Sequence, residues 1–305
     1  MVANGSHRHS IAQSITTFRR PYALLVSANG QIEDYATVSF HSPHSFTHML
    51  RPFHNLGIDR DLFSIISTIA VFSSDLASWY DTGTCPVDSL DLQKHASLLL
   101  YRLFNWYDCY QYGRHQDDTS KLAISESICL VLIIFMVIAT EPSMQPLGCR
   151  LSRVTMKLYA TLQRVSIYQW SNSPDLLFWT LTIGAMGAKS ITKGFRVSSG
   201  ENILLYFTQY CRNVVGPHAV FSGDQMLERV KSFVWVPYIF DESVKRLWLS
   251  MGLCKAEVLD VEDMSTSSEG EREQIDDEYA VGQSTAMRFF GNDSKMEGGK
   301  GAIGW

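Results

Sequence analysis

Ile128 to Ala139 is a run of 12 consecutive apolar residues. As a helix it extends about 18 Å, short of the roughly 30 Å of a bilayer core. Glu126 and Glu141 bracket it. The pattern predicts a helix, Thr119 to Thr140, that is apolar almost all round and buried at the centre of other helices rather than in a membrane.

The neighbouring stretches have the periodicity such a helix needs around it. Leu62, Ile65, Ile66, Ile69, Phe72, Leu76 and Trp79 recur at three- and four-residue steps, one apolar face of a helix over Asp59 to Tyr80. Leu92, Ala96, Leu99, Leu100, Leu103, Phe104 and Tyr107 repeat it over Val87 to Tyr107. Leu151, Val154, Leu158, Leu162 and Val165 predict a helix over Leu151 to Gln169. Pro174 fits the first turn of the next helix, with Ser173 as its N-cap. Gly184 and Ala188, four apart on that helix, would let another helix come close. Three shorter helices follow near 200–213, 223–234 and 240–252, with Asp224 or Ser222 capping the second. Strand series with hairpin turns are absent from the sequence. The expected fold is all-α, one bundle-like domain of about eight or nine helices over residues 45–254. Residues 1–44 are expected to be a flexible segment, with a weak alternation over 21–40.

With 46% apolar residues the chain has material for a sizeable core. Its charge of −5 is uneven: residues 255–305 hold 12 acids and 5 bases, a net −7 that leaves +2 for residues 1–254. A near-neutral body with an acidic, Gly-rich tail has no electrostatic footprint for nucleic acid. The tail reads as disordered, with an acidic activation segment around Ile275, Tyr279, Phe289 and Phe290 as the alternative. Cys85, Cys109, Cys129, Cys149, Cys211 and Cys254 are too far apart for C-x2-C zinc ligation and read as buried reduced thiols. A secretory signal is not expected. The first acid is Glu33, and Arg8, Arg19 and Arg20 sit among Ser and Thr, which makes a mitochondrial presequence the alternative to a loose N-terminus.

Motifs that would carry chemistry fail on inspection. Ile183 to Ser190 looks like a phosphate loop, but Ile183 and Ala188 stand where glycines are needed, and the segment favours continued helix. His44 and His48 are four apart near His41 and His54, yet no acid lies nearby to orient the rings. Asp117-Asp118 and Asp276-Asp277 read as solvated charge. Trp170, Phe178 and Trp179 read as core anchors, or else as the wall of a small-molecule pocket. Catalytic, cofactor-binding and metal residues are therefore not assigned.

Three stretches together resemble a known family. They are Glu126-Ser-Ile-Cys-Leu-Val-Leu-Ile-Ile-Phe, the amphipathic Leu151–Gln169 segment, and Pro174-Asp-Leu-Leu-Phe-Trp-Thr-Leu-Thr-Ile-Gly-Ala-Met-Gly-Ala. Their spacing and hydrophobic tone are similar to the C-terminal regulatory domain of fungal-specific, Zn2Cys6-type transcription factors. The likeness runs over roughly residues 45–250 and is best from Glu126 to Phe195. It implies an all-helical regulatory domain, a nuclear setting and control of transcription, often of a metabolic gene set. The zinc cluster of that family would precede this region, where no cysteine occurs before Cys85. Direct DNA binding by this chain is accordingly not expected. A protein partner or homodimer is, with a small-molecule effector as a further expectation and no membrane. An enzyme or accessory protein of fungal secondary metabolism, built on an apolar helical pocket, is the alternative; no motif points to it.

Overall fold

A computed structural model of the chain describes residues 11–19, 46–82, 89–112, 119–140, 148–194, 198–216 and 222–255. Every regular element among them is helical. After α1 (residues 11–17) come α2 (Thr47–Asn55), α3 (Arg60–Thr82), α4 (Ser89–Tyr112), α5 (Thr119–Thr140) and α6 (Gly148–Leu162). A 3-10 turn, Ile167–Trp170, leads to α7 (Pro174–Gly194), α8 (Ser198–Val215), α9 (Gly223–Lys231) and α10 (Pro237–Met251).

The all-round apolar character of α5 has its cause in its neighbours. Helices α4, α6 and α7 pack directly against it, and α10 stacks Phe240 on its Phe135 at 5.0 Å and 9°. Every residue from Ala123 to Thr140 is buried. The helix is longer than its apolar run: Leu122–Thr140 is apolar and long enough to cross a bilayer, and so is Arg60–Thr82. Burial among helices accounts for the composition of α5, because 94% of its apolar window is covered by the rest of the chain.

Helix α7 is the second centre. It touches α5, α6, α8, α9 and α10. Such crowding requires side chains to be missing at the crossings, and Gly184 and Gly187 supply this. A Cβ on Gly184 would lie 2.5 Å from the Phe207 ring of α8 and 3.1 Å from Leu158 of α6. On Gly187 it would lie 2.7 Å from Thr155 of α6 and 3.3 Å from Ile134 of α5. The packing role expected of this stretch is what the helices use. The segment Ile183 to Ser190, which mimics a phosphate loop in sequence, is uninterrupted helix.

Trp179 joins α7 to α2, to α5 and to the segment between α9 and α10. Its ring lies 6.2 Å from Phe135, 6.5 Å from Phe53 of α2 and 6.2 Å from Phe233, and its Nε1 donates to the Val234 carbonyl at 3.2 Å. Phe178 stacks on Trp248 of α10 at 5.5 Å, and Trp248 Nε1 donates to Thr182 Oγ1. Trp170, Phe178 and Trp179 are all buried core anchors.

Local chemistry sets the helix ends. Asp59 Oδ1 accepts from the amides of Asp61 and Leu62 at 3.1 Å and so starts α3. The same oxygen accepts from Trp106 Nε1 of α4 at 2.7 Å, and the Asp59 amide donates to Ser125 Oγ of α5. One aspartate thereby fixes three helices. Ser222 and Gln225 form a reciprocal capping box on α9, while Asp224 pairs with Lys245 of α10. Gly252, at φ 65°, closes α10 in the left-handed conformation.

Two expectations are corrected. The helix expected to reach Gln169 stops at Leu162, because Ser166 and Gln169 form a capping box that starts the 3-10 turn. Ser173 stands at the N-cap position of α7 as expected, its carbonyl accepting from the Leu177 amide at 3.2 Å, while its hydroxyl lies 2.7 Å from the Asn172 carbonyl and 3.2 Å from the Pro52 carbonyl, linking α7 to α2. Residues 11–17, inside the stretch expected to be loose, are helical, with Ile11 and Ile15 buried in the core. Residues 21–40, the prolines at 142 and 146, and the acidic tail beyond Lys255 lie outside the described residues.

Candidate functional site

The most concentrated polar chemistry inside the helices surrounds Glu126. It sits on the second turn of α5, just ahead of the apolar run, and its side chain is 5% exposed. A carboxylate so deep must be paired. Arg164, two residues beyond the end of α6, donates from Nη2 to Glu126 Oε2 at 2.7 Å, and the Tyr107 hydroxyl of α4 donates to Oε1 at 3.1 Å. Arg164 Nη2 also lies 3.1 Å from Thr161 Oγ1. Three helices therefore meet on one acid. Half of the Arg164 side chain reaches solvent, so the buried end is the carboxylate and the wet end is the guanidinium.

The other face of Tyr107 is covered. Phe18, immediately after α1, meets the Tyr107 ring edge-on at 4.9 Å and the Phe104 ring at 5.4 Å. Lys157 of α6 places its Nζ 4.9 Å from the Phe18 ring centroid and 5.6 Å from that of Tyr107. Arg153, one turn earlier, donates from Nη1 to the Thr17 carbonyl at 3.0 Å. The site is thus layered: a buried ion pair, then a wall of aromatic rings, then α1 held by two cations.

Both carboxylate oxygens of Glu126 are thus engaged, Oε2 by Arg164 and Oε1 by Tyr107. Cys129 lies one turn further along α5. Burial, and secondarily the negative charge of Glu126, push its thiol well above the ordinary range. Burial does the same to Cys211 of α8. Both are protonated and unreactive at neutral pH. In the native protein iodoacetamide is expected to modify the exposed Cys109, while Cys129 and Cys211 react only after unfolding. Peptide mass mapping over time checks this; alkylation of Cys129 at the rate of Cys109 would contradict it.

The sequence motifs fall elsewhere. His48 and His54 lie on α2, with His54 edge-on to Phe63 at 6.2 Å, while His41 and His44 lie outside the described residues. Among the described residues, no three His, Cys, Asp or Glu side chains gather as a metal site. Asp117-Asp118 and Asp276-Asp277 lie outside them too. Sequence reasoning noted Glu126 only as the edge of an apolar run. Its partners Tyr107 and Arg164 are 19 and 38 residues away, so no local spacing announces the cluster.

Among the described residues the fold defines a class: an all-α protein whose helices share one continuous core. Comparison with protein-family models, curated proteins and solved structures finds no match.

Proposed function

We propose that this protein is a transcription-regulator-like protein that acts through contacts of its helical domain, without a DNA-binding module of its own in this chain. What supports the reading is the place of the stretch that resembles the fungal regulatory domain. Glu126 to Phe195 supplies α5, α6 and α7, the helices on which the rest are assembled. The resemblance therefore covers central helices of the described core. A nuclear setting and a metabolic gene set belong to the same proposal, as does a protein partner or homodimer.

The test is to fuse the full chain to a heterologous DNA-binding domain and read a reporter beneath the matching sites. A change of at least about five-fold in either direction is expected, a step of roughly 1 kcal/mol in recruitment. An expressed, nuclear fusion that leaves the reporter unchanged sinks the reading. Tight, sequence-specific DNA binding by the unfused chain would overturn its second half.

A further inference from the structure

Helix α1 has the construction of a bound peptide. Residues 11–17 are its described part, and short helices are marginal in water on their own, so the surface beneath contributes to their order. Ile11, Ile15 and Phe18 stand at i, i+4 and i+7, the anchor spacing of a helix laid in a groove. Ile11 and Ile15 are 5% and 2% exposed, and Phe18 seats its ring on Phe104 and Tyr107 of α4. Recognition of the end of the helix comes from α6, where Arg153 takes the Thr17 carbonyl and Lys157 sits over Phe18.

Two features argue that the fit is not the best the groove can have. Phe18 turns the chain at φ 51°, a left-handed conformation that is unfavourable for a residue with a Cβ. Among the described residues Arg153 meets a carbonyl and Lys157 meets ring faces, and α6 carries both cations and no acid. A carboxylate at that end would make charge-assisted hydrogen bonds, which are stronger.

We propose that the face of α4 and α6 beneath α1 is a helix-binding groove that the chain fills in cis with residues 11–18. Its outside ligand is an amphipathic partner helix with apolar anchors at i, i+4 and i+7 and a carboxylate at its C-terminal end. Binding of that helix displaces α1, so α1 sets the threshold for the partner. The inference concerns a groove and its ligand and does not depend on a role in transcription.

The probe is a fluorescein-labelled peptide of residues 10–18 followed by one glutamate, titrated into the full-length protein by anisotropy. Wild type is compared with the full-length double variant Ile11→Asp, Ile15→Asp. Loss of the tethered competitor is expected to tighten probe binding by at least about ten-fold. Adding Arg153→Ala to the double variant is expected to weaken it again. A double variant with wild-type helical circular dichroism that binds the probe no better than wild type overturns the proposal. A double variant that fails to fold also speaks against it, since a displaceable segment cannot be required for the core. Hydrogen exchange on wild type reads the same point independently. Amides of residues 15–17 are expected to exchange at least about 100-fold faster than those of α5, and equal protection would make α1 an integral core element. A dimer that grows with protein concentration and disappears in the double variant would replace cis occupancy with exchange between two copies.

Discussion

Trp179→Ala is expected to remove about 3–5 kcal/mol of stability, the range for deleting a large, fully buried aromatic side chain. The site argues for the upper end. The indole bridges Phe53 of α2, Phe135 of α5 and Phe233 before α10, elements far apart in the chain, and all four rings are buried. Its removal leaves a cavity that rigid rings on three sides cannot collapse to fill, and leaves the Val234 carbonyl without its indole donor. Native domains hold only about 5–15 kcal/mol in all, so this one change takes much of the margin. Urea unfolding followed by circular dichroism measures it. A loss below about 1 kcal/mol would mean that the rings do not meet as described.

The second large effect is expected from Gly184→Val. An alanine here gains up to about 1 kcal/mol in helix propensity, which partly offsets its crowding. Valine adds two more carbons at a point where even the first meets Phe207 at 2.5 Å and Leu158 at 3.1 Å. Phe207 is itself fully buried and has no free side toward which to swing. Forced expansion of a packed core costs typically 1–3 kcal/mol, and about 3 kcal/mol is expected for this variant. The companion Gly223→Val is the control, since its nearest neighbour is the flexible Lys245 stem at 3.6 Å. Thermal unfolding of the two variants side by side should separate them. Equal, small shifts would show that α6, α7 and α8 do not cross closely at Gly184.

The fold was legible where periodicity is an honest record of burial. The apolar steps of α3, α4 and α5 locate those helices within a few residues, because each residue faces one environment throughout. Legibility failed where periodicity persists beyond the helix. Val165 continues the apolar step of α6 past Leu162, and only the Ser166–Gln169 box reveals that the chain has already turned. It failed again at α10, which begins at Pro237 rather than near residue 240, a proline at the first turn announcing the start more reliably than the apolar face does. Helix α1 was invisible because two isoleucines in a Ser/Thr-rich stretch make no pattern of their own; its order comes from the surface of α4 and α6. For the Glu126 cluster the only local trace was an acid at the threshold of an apolar run. Such an acid is ordinarily a solvated helix end. Here three helices close over it, and closure of that kind is written in tertiary structure alone.

The covered state of α5 has a consequence during synthesis. This helix leaves the ribosome before α6 and α7, the partners that wall it in, and α7 is complete only about 50 residues later. At ordinary elongation rates of 5–20 residues per second, that interval is roughly 3–10 s. Until α6 and then α7 follow, the nascent chain displays a segment that is apolar and long enough to cross a bilayer, with its C-terminal partners not yet in place. Slower translation between Thr140 and Gly194 lengthens the time for which the apolar surface of α5 waits for α6 and α7.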